Sequence, residues 1–112
     1  MTRTLASEIC KSMPSAEWSD PWGGGHDAWK VGGKMFAVAG VDNAGLSVKT
    51  ATVEDATLLI DMDRAVRAPY FHRTWVRVDW NAIPEDELRD RIETSYRLIR
   101  ANLTRKLQAS LD

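Results

Sequence analysis

The residues able to make or break bonds are few in this chain and widely separated. Its two histidines, His26 and His72, lie 46 positions apart. Neither has the neighbouring His, Cys or carboxylate ligands, at workable spacing, that a metal site needs. His26-Asp27 beside Gly25 therefore reads as loop surface, and no metal or other cofactor is expected. Cys10, the one cysteine, sits beside an apolar stripe and reads as a small buried hydrophobe rather than a reactive thiol. No serine occupies a nucleophile elbow. Asp61 and Asp63 could form an acid–base pair, but they flank a helix end, where solvated carboxylates are the simpler account. Neither Gly23-Gly24-Gly25 nor Gly32-Gly33 fits the glycine patterns that cradle phosphate. No catalytic residue is assigned, and the chain is expected not to be an enzyme.

Recognition is the better use of what remains. The segment Arg64 to Arg77 holds four arginines (Arg64, Arg67, Arg73, Arg77) and no acid, with Tyr70, Phe71 and Trp75 interleaved. Residues 1–63 carry 5 basic against 9 acidic side chains and residues 64–112 carry 10 against 7. Such asymmetry marks either a solvated surface or a face that meets an anion. Strand parity suggests how a sheet would display these groups. Lys34, Phe36 and Val38 share one parity, as do Ser47 with Lys49 and Trp75 with Arg77. The opposite parity (Met35, Ala37, Ala39; Leu46, Val48; Val76, Val78) is wholly apolar and should meet helices. The outer face would then offer Phe36 and Trp75 among Lys34, Lys49 and Arg77. Aromatic platforms ringed by cations bind single-stranded nucleic acid. An exposed aromatic face equally suits a protein partner or a second copy of the chain.

The elements that would position these residues follow from periodicity and punctuation. Thr2 to Met13 places Leu5, Ile9 and Met13 on one helical face, and Pro14 ends it. Pro21 to Gly25 is a turn, Ala28 to Val31 a strand, and Gly32-Gly33 a two-residue hairpin. Lys34 to Val41 returns, Asp42 to Gly45 turns, and Leu46 to Thr50 completes an antiparallel meander. Thr52 caps a helix running to about Asp61, with Ala56, Leu59 and Ile60 inward. A loop with Pro69 leads to a strand from Thr74 to Trp80. From Pro84 a single long helix carries Leu88, Ile92, Tyr96, Ile99, Leu103 and Leu107 as an unbroken stripe, with acids first and bases last.

The 112 residues make one domain, 1–112, with 44 % hydrophobic and 28 % charged side chains. The net charge of -1 excludes a strongly basic chain. No apolar run approaches a membrane span and the N-terminus lacks a signal-peptide core, so no membrane contact is expected and a cytoplasmic location is.

Taken together, the motifs resemble the MmcQ/YjbR family of small bacterial proteins. The likeness rests on Pro21-Trp22-Gly23, on Trp29 to Phe36 (WKVGGKMF), on Leu46 to Thr50 (LSVKT), on Pro69-Tyr70-Phe71, on Trp75-Val76 and on Ser95 to Leu98 (SYRL). It implies a two-layer α+β fold of the secretion-chaperone-like group, with the meander packed by N-terminal, middle and long C-terminal helices. It also implies the family's DNA-binding label and no shared catalytic motif. After Pro69 many members read Tyr-His-x-Asn-Lys-x-His-Trp, whereas this chain has Tyr70-Phe71-His72-Arg73-Thr74-Trp75. The expectation is thus a binding module for DNA or single-stranded nucleic acid, contacted by Lys34, Phe36, Lys49, Arg64, Arg67, Arg73, Trp75 and Arg77. The alternative is a protein-interaction or homodimeric module using the same face.

Overall fold

A computed structural model describes residues 2–111. Helix α1 (Arg3–Ser12) starts where the Thr2 hydroxyl accepts the Leu5 N–H at 3.1 Å, and it stops ahead of Pro14. Three strands follow: β1 (Glu17–Ser19), β2 (Asp27–Val31) and β3 (Lys34–Ala39). The β2–β3 hairpin turns on Gly32 and Gly33, with φ of 58° and 82°. Both values lie in the region that only glycine adopts without strain, which is why the pair occurs here. Then come β4 (Gly45–Lys49), α2 (Val53–Asp61), β5 (Val66–Arg67), β6 (Trp75–Asp79), α3 (Glu85–Ala101) and α4 (Arg105–Leu111). Thr52 caps α2 as its sequence predicts, accepting the Asp55 N–H at 3.0 Å.

The six strands form one antiparallel sheet in the order β1-β2-β3-β4-β6-β5. One face carries the core. Ala37, Ala39, Leu46, Val48, Val76 and Val78 pack there beneath Ile9 of α1, Ala56 of α2 and Leu88, Ile92 and Ile99 of α3. Of the apolar parity set, all but Met35 meet the helices as expected.

Three features depart from the sequence expectation. Strands β1 and β5 are three and two residues long, too short for alternation to register. The C-terminal stripe is two helices rather than one. Asn102 ends α3, and the Thr104 hydroxyl accepts the Leu107 N–H at 3.2 Å to restart the backbone as α4. The third departure matters most for function. Trp29 pairs with Ala37 but Lys30 with Met35, so Phe36 is an extra residue in β3. A bulge of this kind breaks the period of two. Phe36 thereby turns into the core, where its ring meets Tyr96 edge to face at 5.3 Å, and Met35 moves to the other face.

The bulge also needs a partner for its backbone. Ladder pairing of β3 with β4 stops at Ala37. There the fully buried Ser95 of α3 donates to the Phe36 carbonyl at 2.6 Å and accepts the Lys49 N–H at 2.9 Å. One hydroxyl thus stands in for the missing ladder bond and fixes α3 against two strands.

Candidate functional site

Among the described residues, loops alone cover the face away from the helices. Its centre is one cross-strand row, Ser19, Ala28, Val38, Ser47, Arg77 and Val66, running across all six strands. Above this row lies a cleft of about 640 Å³ with Met35, Val38, Ser47 and Arg77 on its floor. Trp22, His26 and Val41 form one wall, and Pro69, Tyr70 and Phe71 form the other.

Each wall is held by identifiable contacts. Asp20 accepts the N–H groups of Gly25 and His26, both at 3.1 Å, and so closes the Pro21–Gly25 loop. Nδ1 of His26 lies 2.9 Å from the Gly23 carbonyl, and its ring meets Trp22 at 5.1 Å. Arg3 ties this wall to α1. It donates through Nε to Asp27 at 2.7 Å and through its two terminal nitrogens to the Gly40 and Gly25 carbonyls. Burial alone would raise the Asp27 carboxyl, but hydrogen bonds from Arg3 and Trp18 and the Arg3 charge hold it below the ordinary carboxylate value. On the opposite wall, the Phe71 N–H reaches the Ala68 carbonyl at 3.5 Å across a turn with Pro69 second and Tyr70 third. Tyr70 has φ 70° and is fully exposed. This is the type II arrangement, whose third position favours glycine. Phe71 stacks on Trp75 at 4.6 Å and covers it from the cleft side.

The floor is polar at two points. Arg77 donates through Nε and one terminal nitrogen to both oxygens of Asp79, at 2.7 and 3.4 Å. Those hydrogen bonds, with the Asp79 and Asp42 charges, raise its already high pKa further. The hydroxyl of Ser47, its register partner, makes no hydrogen bond among the described residues.

The eight nucleic-acid candidates do not converge. Phe36 is in the core, for the reason given by the bulge. Lys34 pairs with core-facing Val31 at the hairpin end, on the helix side. Arg67 shares its row with Val76 and Trp29 and is on the helix side too. Arg64 is paired with Glu87 of α3. Lys49 is on the open face but donates to the Thr74 hydroxyl at 2.9 Å. Arg73 is exposed in the loop before β6, and Trp75 is buried under Phe71. Arg77 alone lines the cleft. No stacking platform of Phe36 and Trp75 forms.

Other groups settle as their types suggest. Burial, with the Asp27 charge, pushes the Cys10 thiol up to about 12, which leaves it protonated and inert at neutral pH. Among the described residues no cluster of three His, Cys, Asp or Glu is placed to hold a metal, and no helix is long and apolar enough to cross a membrane.

A family model described as YjbR matches residues 11–98. The chain belongs to the YjbR family. Among solved structures, the YjbR-family fold seen here is similar to protein DR2400 of Deinococcus radiodurans, whose domain is described as DUF419. The two superpose with a TM-score of 0.85 at 20 % identity, over 98 % of this chain and 87 % of that one. At that identity the likeness speaks for the fold. No curated protein matches the chain.

Parity reasoning found Val38, Ser47 and Arg77 on one face but missed Trp22, His26, Met35 and Val41, which enter through the bulge and the loops. The legible signal for the loops was the Pro-Trp-Gly and Pro-Tyr-Phe motifs themselves, exposed aromatics set in turn residues.

Proposed function

We propose that this YjbR-family chain is a non-enzymatic binding module whose site is the open-face cleft. One observation carries the reading. A concave, mainly apolar space of about 640 Å³ lies on the face of the sheet that no helix covers, and that volume suits a small ligand or a partner's side chain. The aromatics at its rim support it. Trp22 is largely exposed and Tyr70 wholly so, and Tyr70 holds a backbone conformation that costs a non-glycine residue roughly 1 kcal/mol or more. Strain at an exposed aromatic is characteristic of a residue kept for contact. The titratable cleft residues, His26, Asp42, Tyr70 and Arg77, surround no activated nucleophile among the described residues, which favours binding over catalysis.

A neutral solvatochromic dye tests the reading. Its emission should shift to the blue with saturable one-to-one stoichiometry, and Trp22→Ala should weaken binding several-fold. A dye response indifferent to Trp22→Ala and to Tyr70→Gly would remove the cleft from consideration. For a protein partner or second copy on the same face, sedimentation should show a mass that rises with concentration or added partner and falls back in Tyr70→Asp.

Nucleic-acid binding is a second reading, favoured by exposed Arg67 and Arg73, which have no ion-pair partner among the described residues. Arg67 and Arg73 would meet phosphates. Oligonucleotide anisotropy at several salt concentrations should then give a slope near -0.9 per duplex phosphate contact. The double change Arg67→Ala, Arg73→Ala should flatten it, and an unchanged slope contradicts the role.

A further inference from the structure

The cleft floor holds a hydroxyl that no protein group uses among the described residues. Ser47 lines the cleft, and its hydroxyl makes no hydrogen bond among the described residues. A hydroxyl with no protein partner is open to a ligand that supplies one. Its cross-strand neighbour Arg77 spends Nε and one terminal nitrogen on Asp79, and its Nη1 has no hydrogen-bond partner among the described residues. Two donors therefore stand side by side on the floor. An acceptor stands on the wall. The Gly23 carbonyl can only accept, so Nδ1 of His26 is the donor in that contact, and in the neutral imidazole Nε2 is then the acceptor.

Charge narrows the ligand further. Asp79 is paired with Arg77, and Asp42 lines the same cleft. Two carboxylates thus stand against one guanidinium, a balance that opposes an incoming anion and admits a neutral acceptor. The walls supply rings on both sides, Trp22 on one and Tyr70 with Phe71 on the other. They suit a flat aromatic guest.

Resting on the reading that the cleft is the binding site, we propose that it takes a neutral planar heterocycle with a carbonyl oxygen next to an N–H, the chemistry of a nucleobase. The carbonyl meets the Ser47 hydroxyl and Arg77 Nη1, and the ring lies between the aromatic walls. A free nucleoside and an unpaired base of a single strand both present this chemistry.

Calorimetric titration of the full chain with uridine, uridine monophosphate, toluene and a short oligouridylate separates the cases. Uridine should bind, Ser47→Ala should weaken it roughly fivefold, and toluene affinity should be unmoved by the same change. The monophosphate should bind no tighter than uridine. An oligouridylate that gains affinity over uridine while keeping the Ser47 dependence makes the source a single strand, and equal affinity per site makes it the free nucleoside. Toluene binding that depends on Trp22, together with no uridine binding or uridine binding indifferent to Ser47→Ala, overturns the heterocycle and leaves the cleft standing. A monophosphate that binds clearly tighter than uridine overturns the neutral ligand. If neither uridine nor toluene binds, the cleft reading itself fails.

Discussion

Tyr70 occupies a position where glycine would sit more easily. Its φ of 70° and full exposure mean that the fold gains no burial from the ring while bearing the backbone cost. Tyr70→Gly relieves left-handed strain of roughly 1–2 kcal/mol but adds chain entropy to the unfolded state worth about 0.5–1 kcal/mol. The melting temperature should therefore hold or rise slightly while dye affinity falls several-fold. A clear loss of stability, or unchanged binding, contradicts a role in contact. Arg3 acts at the opposite wall without touching the cleft. Its guanidinium joins Asp27 and the carbonyls of Gly25 and Gly40, so Arg3→Ala should weaken binding by loosening the loops that carry Trp22 and Val41. Hydrogen exchange should quicken in residues 22–26 and 40–44 of that variant, and unchanged exchange there argues against the positioning role.

Among the elements, β3 decides how much of the site could be read in advance. Alternation correctly placed Val38, Ser47 and Arg77 together and sent Val48, Val76 and Val78 to the core. It failed at Phe36, because one inserted residue reverses the parity of everything before it and nothing in Lys34 to Ala39 announces the insertion. The compensating residue lies 59 positions away, in Ser95. A serine among the apolar residues of a helix reads locally as a tolerated polar group, and its service to two strands exists only in the folded chain. Ser95→Ala should leave the Phe36 carbonyl and the Lys49 N–H without their partner, at roughly 1–3 kcal/mol each. Urea unfolding should show that loss with an unchanged slope, and a shift below about 0.5 kcal/mol would contradict the bridging role. The short strands β1 and β5 were illegible for a different reason. They exist through pairing with β2 and β6, a tertiary effect with no pattern of its own.

At the scale of the whole molecule, the acidic first part and basic second part do not resolve into one cationic face. The arginines of residues 64–77 disperse to both sides of the sheet, and two of them are spent on Glu87 and Asp79. Charge instead ties α1 to β2, where Arg3 meets Asp27 at 2.7 Å. The Asp27 carboxyl is held below its ordinary value, so its contribution is present above the unfolded pKa near 3.9 and is lost as pH falls through the lower folded value. Stability should drop across that acid range, and Asp27→Asn should flatten this limb while lowering stability at neutral pH. An acid limb identical in the two proteins would contradict the pairing. The central claim is that the uncovered sheet face is the binding site. Titrating isotope-labelled protein with toluene and following the amide resonances tests it most directly. Shifts should concentrate at Trp22, Met35, Val38, Ser47, Phe71 and Arg77 and spare the helices. Shifts confined to α2 or α4, or none at any concentration toluene can reach, would contradict it.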